Sequence, residues 1–347
     1  MSKIRFIIAG SGWRSLFYAR IAKALPEMFE LCTMYCRTEE KARKISEENG
    51  IHTTTSIEEC LNYGADFAVV AVNKADIFNV SRQWLETGLP VLCETPVGLD
   101  RETLREAYRL WKGGRKLMCA EQYIYFPYFS SVIKLADRGI LGEPYSINVS
   151  AVHDYHAASI IRRILNKKDE VFRVYGKAYK FSVTETSDRY EKFFDGRQAV
   201  KDRVRLTFEY EDGKAAFYDF CSVQYRSEIR SNYVNIQGPK GEISNNTVSY
   251  IDENFIPRKK ELVYDRQGKI YLDNEVIYEN NLGGDLSDDE RAIARTMLNM
   301  KEYIETGSGG YSLREALTDS YYSVIMKEAL KAEGREIKGN PEEIFFE

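Results

Sequence analysis

The chain has 347 residues, of which 44% are hydrophobic and 29% charged, with a formal net charge of −4. That length suits two domains, the composition suits packed cores rather than a disordered chain, and the charge offers nothing to nucleic acid or an anionic membrane. No apolar run reaches the roughly 20 residues of a bilayer span, and the Met-Ser-Lys start passes straight into a strand without signal-peptide architecture, so a cytoplasmic protein is expected. Cysteines 32, 36, 60, 93, 119 and 221 form no CxxC pair, and several lie in apolar strand-like runs. They read as free buried thiols of a reducing compartment, and no metal site is expected.

Through residue 121, strand and helix patterns alternate. Lys3 to Ala9 reads as a strand running into Gly10-Ser11-Gly12. Residues 13–24 have helical spacing, with Leu16, Ala19, Ile21 and Leu25 largely on one face. Phe29 to Cys36 is a second strand, Thr38 to Asn49 a charged helix stopped by Gly50, and His52 to Thr54 a short strand. Ser56 is expected to cap the next helix, with Glu59 completing a capping box. Asp66 to Val72, Pro90 to Cys93 and Lys116 to Ala120 are strands, separated by helices at Ala75 to Thr87 and at 101–112, the latter capped by Asp100. This alternation predicts a parallel sheet covered on both faces.

Beyond residue 121 the pattern changes. Helical spacing covers Tyr128 to Arg138 and Ala157 to Leu165, with a strand from Tyr145 to His153 between them. Long alternating runs follow at Lys177 to Val183, Val204 to Tyr210, Lys214 to Tyr225 and Tyr233 to Gln237, and two helices close the chain near 285–305 and 312–333. The fold class expected is α/β: a doubly wound Rossmann domain over residues 1–121, then an α/β domain over 122–347 with a large, mostly antiparallel open sheet. The cleft between them is the default site.

Gly10-Ser11-Gly12-Trp13-Arg14-Ser15 lies between the first strand and first helix. The first glycine permits the tight turn, the second lets backbone approach a pyrophosphate, and the helix N-terminus favours the phosphate charge. Ser15 stands at the third glycine position. The second strand ends in Tyr35-Cys36-Arg37-Thr38, without the acid that holds an NAD ribose. Arg37 can pair a 2′-phosphate and Arg14 can stack on adenine or assist, so NADP is favoured, with NAD the alternative.

Together with Leu92-Cys93-Glu94-Thr95-Pro96-Val97, the glycine motif resembles the glucose-fructose oxidoreductase / inositol dehydrogenase / rhizopine catabolism (Gfo/Idh/MocA) family. Asp66 to Val72, Gly139-Ile140-Leu141-Gly142 and Ile236 to Ile243 resemble further family segments, so that the likeness spans nearly the whole chain. It implies hydride transfer at a carbinol carbon of a sugar, cyclitol or related polyol, and a homodimer or homotetramer assembled through the open sheet. It places the nicotinamide near Val72, Asn73, Glu94 and Thr95. The family's Glu-Lys-Pro reads Glu94-Thr95-Pro96 here, and loss of one oxyanion stabiliser typically costs about 10²–10³ in rate. Lys74 offers a substitute charge. The family's Asp-x-Gly-x-His reads Val152-His153-Asp154-Tyr155-His156.

His156 therefore takes the histidine position and is the expected proton-transfer residue, helped by Thr95 and Tyr123. His153, Tyr155 and Tyr123 are the candidate substrate contacts, and Asp154 reads as a helix N-cap. The leading expectation is an NAD(P)-dependent oxidoreductase. The missing lysine leaves open a dinucleotide-binding regulator without turnover, and relatives of this kind that use bound NAD transiently leave open a glycosidase or lyase.

Overall fold

The apolar runs of the first 120 residues form six strands in the computed structural model, which describes residues 3–346. In chain order these elements are β1 (Ile4–Ala9), α1 (Ser15–Ala24), β2 (Phe29–Tyr35), α2 (Glu39–Asn49), β3 (Thr53–Thr54), α3 (Ile57–Leu61), β4 (Phe67–Val70), α4 (Ile77–Glu86), β5 (Val91–Cys93), α5 (Arg101–Lys112) and β6 (Leu117–Cys119). All pairings are parallel, in the order β3-β2-β1-β4-β5-β6. The order reverses between β1 and β4, which opens a crevice at their carboxyl ends, where ligands of such sheets bind. Every residue of β4 and β5 is buried, as expected of strands covered on both faces.

Local signals set most boundaries. Thr38 and Asp100 cap α2 and α5 through their side chains, and Gly50 ends α2 at φ 66°. Two details differ from the sequence reading. Ser56 does cap α3, but Glu59 accepts from the Thr54 hydroxyl at 2.6 Å instead of the Ser56 N–H, which donates to Thr54 Oγ1. The competing hydroxyl leaves the capping box half formed. The buried face of α1 is Ser15, Tyr18, Ile21 and Ala22, with Leu16 and Ala19 only partly covered.

The remaining elements are α6 (Pro127–Asp137), β7 (Ser146–Ser150), α7 (Asp154–Leu165), β8 (Phe172–Thr184), β9 (Gln198–Tyr210), β10 (Ala215–Cys221), β11 (Tyr233–Gly238), β12 (Gly241–Ser244), β13 (Thr247–Ile251), β14 (Pro257–Tyr264), β15 (Ile270–Leu272), β16 (Glu275–Tyr278), α8 (Asp288–Thr306), α9 (Leu313–Lys331) and β17 (Ile337–Gly339). Strands β7 to β17 make one 11-stranded sheet, ordered β16-β15-β14-β13-β12-β11-β7-β10-β9-β8-β17. Only the β7–β10 pairing is parallel. The run expected as a strand to Tyr225 leaves the sheet after Cys221, in a 3₁₀ turn over Ser222–Tyr225.

By contacts the chain forms two units: residues up to Phe126 with Asn280–Ser320, and Pro127–Glu279 with Tyr321–Phe346. The sequence reading divides the chain at 121/122 and does not foresee the return of α8 to the first unit. There Ile293, Ala294, Met297 and Met300 join the core that holds Phe6, Ile8 and Tyr18. Lys301 bonds Asp66 at 2.9 Å and Arg20 bonds Glu290 at 2.6 Å. Among the described residues no helix is long and apolar enough to cross a membrane.

Candidate functional site

The crevice at the ends of β1 and β4 is a pocket of about 620 Å³, lined by Gly10 to Arg14, Arg37, Lys41, Val72 and Asn73, with Asn79 and Gln83 of α4 on its wall. The glycine turn is closed on one side and open on the other. Gly10 has φ +135°, and a Cβ there would lie 2.3 Å from the Ala71 carbonyl oxygen. The Ser15 hydroxyl donates to the same oxygen at 3.2 Å, so serine at the third glycine position ties the loop to β4. A Cβ on Gly12 would meet no atom within 4 Å. That open cradle beside the start of α1 fits the approach of a pyrophosphate.

Arg37 and Lys41 are exposed on the pocket wall, and among the described residues neither forms an ion pair. Thr38 instead caps α2 and does not line the pocket. Arg14, expected to stack on adenine or assist, lines the pocket and is anchored by two acids. Its guanidinium lies 3.1 Å from Asp289 of α8 and 3.5 Å from Glu94, and 4.8 Å over the Trp13 ring. Burial disfavours that charge, but Glu94 and Asp289 outweigh it and hold the guanidinium firmly protonated.

Glu94 is buried and accepts from the Tyr18 hydroxyl at 2.8 Å. Thr95 is half-buried and joined to Pro96 by a cis bond. Neither Glu94 nor Thr95 lines the pocket, nor does the exposed Lys74. Tyr123 follows β6 in a 3₁₀ turn and stacks on Phe126 at 4.7 Å.

In the second unit, the turn from β7 into α7 carries the histidines. His153 is the N-cap of α7 and its side chain makes no cap bond; Asp154, read as the cap, is the first helical residue. The Asp154 carboxylate accepts from the Ser323 hydroxyl at 2.8 Å, with Lys327 at 3.9 Å. Burial works to raise its pKa, but His153, Lys327 and these hydrogen bonds hold it below the usual carboxylate range. His153 is exposed, whereas His156 and Tyr155 are buried, with ring centroids of the two histidines 4.8 Å apart. The Tyr225 hydroxyl meets His153 at both its backbone N–H and Nδ1. Among the described residues no group of three His, Cys, Asp or Glu side chains could hold a metal ion.

Residues 4–122 match the Gfo/Idh/MocA oxidoreductase family, with its NAD-binding Rossmann fold. The N-terminal domain belongs to the Gfo/Idh/MocA family. Solved structures carry the likeness of fold over the whole chain. An oxidoreductase from Agrobacterium radiobacter, in complex with NAD+, L-tartaric acid and magnesium, is 13% identical with TM-score 0.72, covering 99% of each chain. A myo-inositol dehydrogenase from Corynebacterium glutamicum is 15% identical with TM-score 0.65, covering 98% of this chain and 99% of its own. An apo scyllo-inositol dehydrogenase from Lactobacillus casei is 14% identical with TM-score 0.67, covering 97% and 98%. No curated protein matches the chain.

This Gfo/Idh/MocA domain holds one more unusual group. Glu121, just past β6, is fully buried, and burial pushes its carboxyl up to about 8 against the Tyr123 N–H and the Arg14 charge. The folded chain thus keeps a proton that the unfolded chain loses near its ordinary 4.5. Stability falls as pH rises from about 4.5 to about 8, on the order of 5 kcal/mol in all. Glu121→Gln is expected to melt with wild type at pH 5 and roughly 5–10 °C above it at pH 8.5. A difference that does not change with pH would mean that Glu121 is charged in the fold.

Sequence reasoning missed Lys41, Asn79, Gln83 and Tyr225. Lys41 had a signal, lying four residues after Arg37 in the first turn of a capped helix. Tyr225 had none, being 72 residues from the histidine it touches.

Proposed function

We infer that the protein is an NADP-dependent oxidoreductase acting on a carbinol or ketone carbon of a sugar, cyclitol or related polyol. The observation that carries this is the Gfo/Idh/MocA pocket, with an open Gly12 cradle and two cations, Arg37 and Lys41, where an NAD site would place an acid. Gly10 to Trp13 and the start of α1 hold the pyrophosphate, while Arg37 and Lys41 pair the 2′-phosphate. Val72, Asn73, Glu94 and Thr95 form the nicotinamide end. When bound, the nicotinamide supplies the hydride donor or acceptor.

The chain's own groups handle the proton and the oxygen. His156, buried in α7, exchanges the proton of the substrate hydroxyl. Thr95 and Tyr123 donate hydrogen bonds to the reacting oxygen, and His153 and Tyr155 contact the substrate. The names of the inositol dehydrogenases that share the fold support a polyol substrate. Free cysteines at all six positions fit a reducing cytoplasm. Exposed Tyr179, Phe181, Phe217 and Tyr233 on the large sheet support a homodimer or homotetramer.

Titration with NADPH and with NADH, followed by nicotinamide fluorescence at fixed salt, tests the cofactor. NADPH is expected to bind preferentially, and Arg37→Ala to weaken it by about tenfold to a hundredfold while leaving NADH unchanged. Equal binding of NADPH by wild type and Arg37→Ala would overturn the 2′-phosphate role. Thr95 in place of lysine favours one other reading, a dinucleotide-binding regulator. Saturable cofactor binding with no turnover across a panel of polyols, sugars and ketones would select it.

A further inference from the structure

The Arg14 side chain ties the glycine turn to three other segments of the first unit, with one guanidinium nitrogen directed to each. Nη1 donates to the Asp289 carboxylate at the start of α8, at 3.2 and 3.1 Å. Nε lies 3.5 Å from Oε1 of Glu94, the residue between β5 and Thr95. The Gln122 amide, just past β6, is satisfied when its oxygen faces Arg14. Nη2 then donates to that oxygen at 3.0 Å, and the amide nitrogen donates to the Ala120 carbonyl at 2.9 Å. The buried Tyr18 hydroxyl of α1 donates to the same Glu94 oxygen at 2.8 Å. Arg14 lines the pocket, whereas Glu94 and Gln122 are buried and do not. A buried carboxylate stripped of its cation is costly, so Glu94 keeps its place only while Arg14 is there. Lysine is no equivalent, because one ammonium on a flexible stem does not span the three acceptors that the planar fork reaches.

We propose that Arg14 is a positioning residue that sets the span of the dinucleotide site: it holds the Glu94-Thr95 end of β5 at a fixed distance from the glycine turn, so that a cofactor whose pyrophosphate crosses Gly12 presents its nicotinamide at Thr95. Asp289 fixes the guanidinium from the side of α8. The proposal rests on the NADP reading of the pocket. It brings Glu94 into the site through Arg14 and through its own backbone, not through a contact between its carboxylate and the cofactor. Ser15 makes a parallel tie from the same turn, to Ala71 at the end of β4. The adjacent residues Arg14 and Ser15 thus anchor the turn to the carboxyl ends of β4, β5 and β6, the edge of the sheet along which a dinucleotide lies. Arg37 and Lys41 lie on the β2–α2 side of the pocket, and among the described residues they share no partner with Arg14. The adenosine end is therefore independent of this clamp.

Two ligands separate the span from the rest of the site. Adenosine 2′,5′-bisphosphate occupies only the adenosine end, and NADPH occupies both ends. Arg14→Lys is expected to bind adenosine 2′,5′-bisphosphate as wild type does and NADPH about tenfold more weakly, and to lose the enhancement of nicotinamide fluorescence that wild type gives. Asp289→Asn, at a half-buried position, should move the same readings in the same direction by less, and it decides the matter if Arg14→Lys does not fold. A merely structural role would lower the melting temperature and leave the ratio of the two affinities unchanged. That result overturns the positioning role, as does NADPH bound by both variants with wild-type affinity and fluorescence. A wild type that binds neither ligand defeats the NADP reading, and the proposal falls with it. That outcome is read from wild type alone and is distinct from a failure of the clamp, which is read from the variants.

Discussion

Gly10→Ala is expected to cripple folding, whereas Gly12→Ala keeps the wild-type melting temperature and loses the cofactor. The two glycines stand in one turn, but the space around them differs. A methyl group on Gly10 would sit 2.3 Å from the Ala71 carbonyl oxygen, at φ +135°, which L-residues rarely adopt. Neither problem can relax cheaply, because Ala71 continues the buried strand β4 and its oxygen also takes the Ser15 hydroxyl. Backbone strain alone costs about 1–3 kcal/mol, and displacement of backbone adds to it. At Gly12 a methyl group meets no protein atom within 4 Å. Its effect is confined to whatever lies against the loop, and the NADPH dissociation constant should rise more than tenfold. Thermal melts and fluorescence titrations of the two variants check this together. If Gly12→Ala binds NADPH as wild type does, the pyrophosphate does not cross Gly12.

His156→Ala is expected to lower kcat by about 10²-fold, within the range that a positioned acid–base group contributes. The side chain is 3% exposed, so truncation also leaves a cavity and some loss of stability. His156→Gln controls for that, keeping volume and hydrogen bonding but not proton exchange near neutral pH. Both variants should lose turnover alike, with NADPH affinity intact, since the pocket residues all lie in the other unit. Wild-type rates in His156→Gln would remove His156 from the chemistry and leave proton exchange to another group.

The parts of the fold visible in the sequence are those with local causes. Most of β1 to β6 are short apolar runs, and Thr38, Asp100 and Gly50 act within four residues of where they stand. The strands β14 to β16 were not visible: in β14 and β16 exposed positions outnumber buried ones and blur the alternation, and β15 is only three residues long. Arg14 shows the same limit at the site. Its position beside the glycine turn was evident, but Asp289, which holds it, is 275 residues away.

The sequence by itself determined the doubly wound first domain, the dinucleotide turn at Gly10 to Ser15, the absence of an acid after β2 and the family likeness. All of these depend on residue type at fixed short spacing, which hydrophobic period and turn chemistry enforce. Only the tertiary structure decided that α8 packs into the first unit, that Arg14 belongs to Asp289 and Glu94, that Lys41 joins Arg37 at the pocket, and that Tyr225 holds His153. These depend on which distant segments meet, and side-chain packing between such segments leaves no periodic trace in either one.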